Sequence, residues 1–320
     1  MNSKKIVIIT PGGDAPGMNA CLRALVKLAN SAKYEVFGIQ HGYAGLLAED
    51  FIHLVPYNVS GIIHHGGTIL KSNRCHEIRT EQGINKAVQI LKEKEIDFIF
   101  IIGGDGSLTA GHYLSQKGIK VLGIPASIDN DVYGTDETIG FDTALDTAVH
   151  AVDNIRDTAT SFERVFVIEV MGRESGFLAL DIAAASGAEI VIIPEIKINL
   201  DSIIHQLKKY KQQQKKTLII IYAEGSGNSR DFADIISKKT GFEVRVSTLG
   251  YIQRGGEPSG RSRILALKMG NYAFELMTQK ICNRVIVIKN NKINSIPLNS
   301  IVKNKKQIDI SYKKIIERIG

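Results

Sequence analysis

The chain has 320 residues, of which 44% are hydrophobic and 23% are charged, an ordinary composition for a globular protein with a large core. Its length favours two domains. Cys21, Cys75 and Cys282 are too widely spaced for a C-x-x-C pair, which argues against a disulfide framework or a zinc site and favours a reducing cytoplasm. No apolar run approaches the roughly 20 residues of a membrane span, and MNSKKIVIIT is too short and too strand-like for a signal peptide.

Positive charge is concentrated at the C-terminal end of the chain. Residues 281–320 contain nine Lys or Arg and two Asp or Glu, a surplus of seven that equals the net charge of the whole chain. Few aromatic residues alternate with these cations, so the tail is more typical of a solvated surface than of a nucleic-acid interface. We therefore expect neither a nucleic acid nor a membrane as a partner.

Short β-rich runs alternate with helical patterns along most of the chain. The predicted strands are Lys5–Thr10, Val36–Gln40, Phe98–Ile102, Val121–Pro125, Arg164–Val170, Glu189–Pro194, Leu218–Ala223 and Val244–Thr248. Alternating β and α elements favour parallel sheets with helices on both faces.

Three further segments have a clear local pattern. An apolar stripe at positions i, i+3, i+4, i+7 and i+10 begins at Leu145 and indicates a helix. The segment Phe177–Ser186 predicts a second helix, which Gly187 is placed to end. The segment Arg284–Leu298 predicts a hairpin that turns at Asn290-Asn291.

The most informative loop is GGDGS, which follows the buried strand Phe98–Ile102. Its glycines leave backbone amides open to a bulky anion, and Ser107–Leu114 predicts a helix whose N-terminus favours negative charge. Asp105 would repel a phosphate by itself, but it would attract one through a bound Mg²⁺. A tight strand–helix turn with a capping aspartate is the alternative interpretation.

Other strand ends carry similar polar, glycine-rich loops. They are PGGDAPGMNA, PASIDND, VIEVMGRESG, IYAEGSG and LGYIQRGG. Ligands of open α/β sheets collect at the carboxyl ends of the strands. The first loop fits neither G-x-G-x-x-G nor the P-loop pattern. A carboxylate for a metal, another to take a proton and several arginines indicate phosphoryl transfer to a hydroxyl group.

Six segments resemble the bacterial ATP-dependent 6-phosphofructokinase family in order and spacing. They are GGDAPGMNA, GGDGS, IDND, GTDETIGFDTA, EVMGRESG and LGYIQRGG, and the resemblance extends from Ile6 to about Gly270. It implies two Rossmann-like α/β domains with parallel sheets, helices on both faces and an active site in the cleft. Residues 1–138 plus 252–305 would bind ATP, and residues 139–251 plus 306–320 would bind the sugar phosphate. The implied reaction moves the γ-phosphoryl group of Mg²⁺-ATP to O1 of fructose 6-phosphate.

The resemblance also implies roles for individual residues. Asp129 would be the base on the sugar hydroxyl, with Ser127 and Arg173 beside it, and Asp105 would serve Mg²⁺. The implied ATP-site residues are Gly13, Arg74, Cys75, Gly104, Asp105, Gly106 and Ser107. The implied sugar-phosphate residues are Ser127, Ile128, Asp129, Met171, Gly172, Arg173, Glu224, Tyr251, Ile252, Gln253 and Arg254. Arg164 and Arg245 match residues that reach the sugar phosphate of a neighbouring subunit, which implies a homotetramer.

A second phosphate-binding site is implied between subunits, for ADP as activator and phosphoenolpyruvate as inhibitor. The matching residues are Arg23, Arg156, Gly187, Glu189, Lys215 and Lys216, with Lys27 in place of an arginine. Three matching positions have lost a cationic or imidazole group: Pro56 replaces arginine, Gln213 lysine and Thr217 histidine. We expect a site that persists but responds weakly. The alternative is that these residues form a solvated surface and helix end that has lost the site.

Four positions near the implied active site depart from the family pattern. Ser127 replaces a threonine, Tyr251 a histidine, Cys75 an aromatic residue and Lys71 a small residue. Serine keeps the hydroxyl and tyrosine can donate to phosphate, so we expect shifted affinities and retained chemistry.

Three other protein classes are the alternatives. Pyrophosphate-dependent phosphofructokinases carry an aspartate at the position of Gly106 and a lysine at that of Ala126, and the two small residues here leave room for a nucleotide. NAD kinases and diacylglycerol kinases share GGDG but lack IDND and QRGG. A regulatory subunit without activity would be expected to lose Asp129, Asp105 or Arg173, and all three are present.

Overall fold

The structure is a computed structural model that describes residues 4–319. The chain forms two compact units. Unit 1 consists of Met1–Thr143 and Arg254–Lys306, and unit 2 of Ala144–Gln253 and Gln307–Gly320. The chain therefore crosses between them after Thr143, after Gln253 and after Lys306.

The described residues form eleven strands and eleven α-helices. The strands are β1 Lys5–Ile9, β2 Glu35–Ile39, β3 Phe51–His53, β4 Ile96–Gly103, β5 Val121–Pro125, β6 Val165–Val170, β7 Ile190–Ile192, β8 Leu218–Ala223, β9 Val244–Thr248, β10 Arg284–Lys289 and β11 Lys292–Pro297. The helices are α1 Met18–Ser31, α2 Gly42–Leu47, α3 Glu81–Glu93, α4 Asp105–Gln116, α5 Phe141–Phe162, α6 Phe177–Ser186, α7 Leu200–Gln212, α8 Ser229–Thr240, α9 Gly260–Thr278, α10 Asn299–Lys303 and α11 Ile310–Ile319. No helix of residues 4–319 is long and apolar enough to cross a membrane.

Unit 1 is built on a seven-stranded sheet with the order β11-β10-β5-β4-β1-β2-β3. The strands from β10 to β2 are parallel. Val7 and Ile9 pack into a cluster with residues of α3 and α4. Ile6 and Ile8 point to the opposite face and are also fully buried. Burial on both faces explains why these strands have continuous apolar sequences and confirms the predicted α/β class.

The two edges of this sheet are antiparallel. The short strand β3 returns antiparallel to β2, and β10 pairs antiparallel with β11. The predicted hairpin is thereby confirmed. Asn290 and Asn291 both have positive φ, 50° and 60°, as a two-residue turn between antiparallel strands requires.

Unit 2 is built on a four-stranded parallel sheet with the order β7-β8-β6-β9. Its core contains Val165, Val167, Ile190, Leu218 and Ile220 together with residues of α7 and α8. The predicted helix α6 has the expected bounds, and Gly187 ends it with a left-handed φ of 64°. Strand β7 is shorter than predicted, covering only Ile190–Ile192.

Strands β1, β4 and β5 are neighbours in unit 1, so their carboxyl ends lie at the same edge of the sheet. The loops that follow them are PGGDAPG, GGDGS and ASIDND. The fold therefore places three of the singled-out loops side by side.

Candidate functional site

The loops after β1 and β4 are joined by Ser107, whose Oγ donates to Pro11 O at 2.8 Å. Gly12 has a φ of +92°, and a Cβ there would lie 2.8 Å from Ser107 Oγ. Only glycine fits this position without strain. Helix α4 begins at Asp105, two residues earlier than predicted, so that Asp105 lies in the first turn, where the helix dipole favours a carboxylate.

The loop after β5 covers residues 126–139 and is called the Asp129 loop here. It is closed by a bridge between Ala126 and Ile139, and Ser127 N donates to Ile139 O at 3.0 Å. Asp129 N donates to Ser127 Oγ at 3.1 Å. Asp129 is only 4% exposed. The loop thus holds a largely buried carboxylate at the carboxyl end of β5.

The Asp129 loop lies against the glycine loop of β4. Ala126 N donates to Gly103 O at 3.0 Å, and a Cβ on Gly104 would lie 3.5 Å from Ser127 Cβ. A Cβ on Gly106 would meet nothing within 4 Å. The backbone after β4 is therefore open on the side of Gly106 and packed on the side of Ser127.

Burial raises the pKa of Asp105, because it penalises the charged form of the carboxyl group. The positive charge of Lys305 has a smaller effect that lowers the pKa. Such a carboxylate would be ionised more readily with a cation beside it. Among the described residues no group of three or more His, Cys, Asp or Glu could hold a metal ion. Mg²⁺ usually takes one or two carboxylates together with substrate phosphates, so Asp105 fits a metal shared with a nucleotide.

A pocket of about 530 Å³ lies in unit 1 beside the loop after β1. Its lining residues are Gly12, Asp14, Gly66, Gly67, Thr68, Lys71, Ser72, Asn73, Arg74 and Arg254. Arg254 Nη2 lies 2.5 Å from Asp14 Oδ1, and Ser72 Oγ donates to Gly12 O at 2.8 Å. Three cations and one carboxylate in a polar pocket are suited to a chain of phosphates.

The pocket includes some of the singled-out residues and omits others. Arg74 and Arg254 line it, and Gly13 is the neighbour of the lining residues Gly12 and Asp14. Cys75 instead packs against the hydrophobic core. Ile128 is buried, with only 4% of the residue exposed.

Sequence reasoning missed the pocket residues Asp14, Ser72 and Asn73. Asp14 belongs to GGDAPG, a loop that was singled out for its glycines, and its pairing with Arg254 spans 240 positions. Ser72 and Asn73 lie in an irregular segment, which has no periodicity to mark it. An aspartate at the carboxyl end of the first strand was the one signal that could have been used.

In unit 2, Glu224 holds the loop after β6. Gly172 N and Arg173 N donate to Glu224 Oε1 at 3.3 and 2.8 Å, and Met171 N donates to Gln253 Oε1 at 2.9 Å. Arg173 has a φ of 53° and an exposed side chain. Two buried or half-buried side chains thus fix the backbone that presents Arg173.

Two other arginines of unit 2 converge on one carboxylate. Arg164 Nε lies 2.9 Å from Glu243 Oε1, and Arg245 Nη2 lies 2.5 Å from the same oxygen. Arg164, and then Arg245, hold the pKa of Glu243 below its ordinary value.

Tyr251 and Ile252 are 78% and 56% exposed, so this part of the chain offers two exposed large side chains.

The basic residues of the implied effector site that belong to unit 2 have partners within that unit. Arg156 Nη2 donates to Ser186 O at 2.7 Å and to Gly187 O at 3.2 Å. Lys215 pairs with the buried Glu189 at 3.1 Å, and Lys216 pairs with Glu163 at 2.6 Å. Arg23 and Lys27 lie one turn apart on α1 of unit 1 and share a helix face.

A glycine-lined backbone, a polar pocket with three cations and a buried carboxylate at adjacent strand ends are typical of a phosphotransferase on an α/β fold. The sequence profile of the phosphofructokinase (PFK) family matches residues 5–277, and the chain belongs to this family.

Relatives match over nearly the whole chain. An ATP-dependent 6-phosphofructokinase of Brevibacillus brevis is 45% identical over 317 residues, which cover 99% of each chain. A phosphofructokinase structure from Saccharomyces cerevisiae has a TM-score of 0.86 at 34% identity, covering 94% of this chain and 45% of that one, so the present chain spans less than half of the yeast chain.

A pyrophosphate-dependent phosphofructokinase from Marinobacter aquaeolei has a TM-score of 0.85 at 20% identity, covering 98% and 91% of the two chains. That likeness shows the fold alone.

Proposed function

We propose that this protein transfers the γ-phosphoryl group of ATP to O1 of fructose 6-phosphate, giving fructose 1,6-bisphosphate and ADP. The observation that carries the proposal is Asp129, a carboxylate 4% exposed in a loop fixed against the glycine loop of β4. We assign ATP binding mainly to unit 1 and sugar-phosphate binding mainly to unit 2.

Asp129 acts as the base: it orients the 1-hydroxyl of the sugar and accepts its proton as the oxygen attacks phosphorus. Ser127 accepts the hydrogen bond of Asp129 N and so supports the base. Arg173 stabilises the negative charge on the transferred group, because its guanidinium stays charged and can bond two oxygens. Asp105 would hold Mg²⁺, which when bound would neutralise charge on the phosphate oxygens.

We assign the nucleotide to the glycine-rich backbone of unit 1 and its polar pocket. The assigned residues are Gly13, Arg74, Cys75, Gly104, Asp105, Gly106 and Ser107. Gly106 favours ATP over pyrophosphate, because the space around its Cα is open and carries no second carboxylate. A donor as large as a nucleotide needs that space.

We assign the sugar phosphate to four segments of the chain. The assigned residues are Ser127, Ile128 and Asp129, Met171–Arg173 and Glu224, and Tyr251–Arg254. Arg164 and Arg245 are assigned to the sugar phosphate of an adjacent subunit in a homotetramer. Because both arginines bind Glu243 in the single chain, a phosphate would have to compete with that carboxylate.

We propose a weak effector site for ADP and phosphoenolpyruvate, formed by the residues named above around Glu189. Each well-formed charge-assisted contact is worth roughly 1.5–3 kcal/mol, so Pro56, Gln213 and Thr217 in place of three donors weaken the site. An effector can shift the equilibrium between two conformational states only by the difference between its binding free energies for them. Fructose 6-phosphate saturation curves with each effector test this, and a sigmoidal curve made hyperbolic by low ADP would contradict it.

We place the enzyme in a reducing compartment such as the cytoplasm, since its three cysteines are free thiols in the structure. A coupled assay for ADP release tests the proposed function. Turnover should require both fructose 6-phosphate and ATP. Activity with another hexose phosphate at equal or higher kcat/KM would contradict the substrate assignment.

A further inference from the structure

The basic C-terminal segment reaches the Asp129 loop through one lysine. Lys306 Nζ donates to Asn130 O at 2.8 Å and to Asp136 O at 3.2 Å. Lys306 is the last residue of unit 1 before the chain crosses into unit 2, and it is half-buried. Asn130 follows Asp129 directly, so the lysine binds the carbonyl next to the proposed base.

Asn130 has a backbone conformation that residues with a Cβ rarely adopt. Its φ is +52°, and the residue is 5% exposed. Asn130 Nδ2 donates to Asp136 O at 3.1 Å, and its Oδ1 accepts from Thr138 N at 3.1 Å. Strained backbone of this kind persists only where its surroundings hold it in several ways at once.

Lys306 completes this set of restraints. The carbonyl oxygen of Asp136 accepts from both Asn130 Nδ2 and Lys306 Nζ, so the ammonium ties the two ends of the turn together. A hydrogen bond from a charged donor is about twice as strong as one between neutral groups. Asn130 and Lys306 are 176 positions apart, so nothing local to IDND provides this contact.

We propose that Lys306 is a positioning residue for Asp129. It holds the carbonyls of Asn130 and Asp136, keeps Asn130 in its left-handed conformation and so fixes the direction in which Asp129 presents its carboxylate. The inference rests on the proposed function, because the direction matters to the rate only if Asp129 takes the proton of the substrate.

The test compares Lys306→Met, Lys306→Arg and Lys303→Met in the full-length enzyme. Lys303 is an exposed lysine three residues earlier on α10 and serves as the matched control. Misplacing a catalytic group by about 1 Å can cost on the order of 100-fold, so Lys306→Met should lower kcat roughly 10- to 100-fold. The KM for ATP should change less than about threefold, because the loss lies in the chemical step.

Two further readouts separate positioning from folding. Lys306→Arg should recover most of the lost turnover, because arginine retains a cationic donor. Thermal melts of each variant give the folded fraction by which kcat is normalised.

Hydrogen exchange provides a measurement that does not depend on activity. Lys306→Met should speed amide exchange in peptides of residues 126–139, and Lys303→Met should not. The inference is overturned by a Lys306→Met enzyme with wild-type kcat, by a loss that matches the fall in folded fraction, or by unchanged exchange in that loop. An inactive wild type would contradict the proposed function instead, while the exchange result would still decide the role of Lys306.

Discussion

Replacing Asp129 with asparagine removes the proton acceptor and keeps the shape of the side chain. Asp129 N donates to Ser127 Oγ through the backbone, so this contact does not depend on the carboxylate. The position is 4% exposed. The substitution also removes a charge from a buried place, so it has no desolvation cost of its own. We expect a folded enzyme with a melting temperature close to that of the wild type.

The expected effect on the rate is large. General-base catalysis is typically worth about 10²–10⁴ in rate, which equals roughly 2.7–5.5 kcal/mol of transition-state stabilisation at 1.36 kcal/mol per tenfold. The amide oxygen of asparagine can still accept the hydroxyl hydrogen bond, but it cannot take the proton. We therefore expect kcat to fall by 10²–10⁴ on that basis, with fructose 6-phosphate still bound.

The assay is steady-state ADP release, with calorimetry to measure sugar-phosphate binding to the variant. Asp136→Asn is the matched control, because Asp136 lies in the same loop with an exposed carboxylate that accepts from Asn290 N at 2.7 Å. An Asp129→Asn enzyme with a third of wild-type turnover would remove Asp129 from the role of base. An equal loss in Asp136→Asn would point to the loop rather than the carboxylate.

Three further predictions concern the donor, the assembly and the metal. Gly106→Asp should fold, because a Cβ there meets nothing within 4 Å, yet it should lose ATP-dependent turnover. The wild type should use ATP and not pyrophosphate, and faster turnover with pyrophosphate would show that the donor site is misassigned. Co-refolded mixtures of Arg245→Ala and Asp129→Asn chains should be more active than either parent, since some shared sites would take an intact residue from each chain; mixed tetramers no better than the parents would rule out a shared site. Burial raises the pKa of Asp105, so the folded state binds a proton at this carboxyl group more readily than the unfolded state does. The contribution of Asp105 to the stability of the fold therefore falls as the pH rises from the ordinary pKa through the raised one. Asp105→Asn should therefore melt no lower than the wild type at pH 7 while losing Mg²⁺-dependent turnover, and a lower melting temperature at pH 7 would contradict this reasoning.

Local patterns predicted much of the fold. Strand β4, helix α6 with Gly187 behind it and the hairpin at Asn290-Asn291 all have signals within a few residues of themselves. Strand β3 was not predicted, because a three-residue edge strand is too short to show a period of two. The antiparallel edges of the sheet are formed by the predicted hairpin and by β3, which was not predicted.

The site was predictable where chemistry lies in a loop after a strand, as with Asp105 and Asp129. Its long-range contacts were not. The Arg254–Asp14 pair spans 240 positions and the Lys306–Asn130 contact spans 176. Burial is a further limit, because the sequence does not reveal that Cys75 packs on the core or that Ile128 is buried.

The most direct test of the central claim is the identity of the phosphorylated product. Purified protein with Mg²⁺, ATP and fructose 6-phosphate is followed by ³¹P NMR, with Asp129→Asn as the blank. We expect equal amounts of ADP and fructose 1,6-bisphosphate, with the new signal at the phosphate on C1. Formation of ADP and inorganic phosphate alone, or phosphorylation at any other position of the sugar, would contradict it.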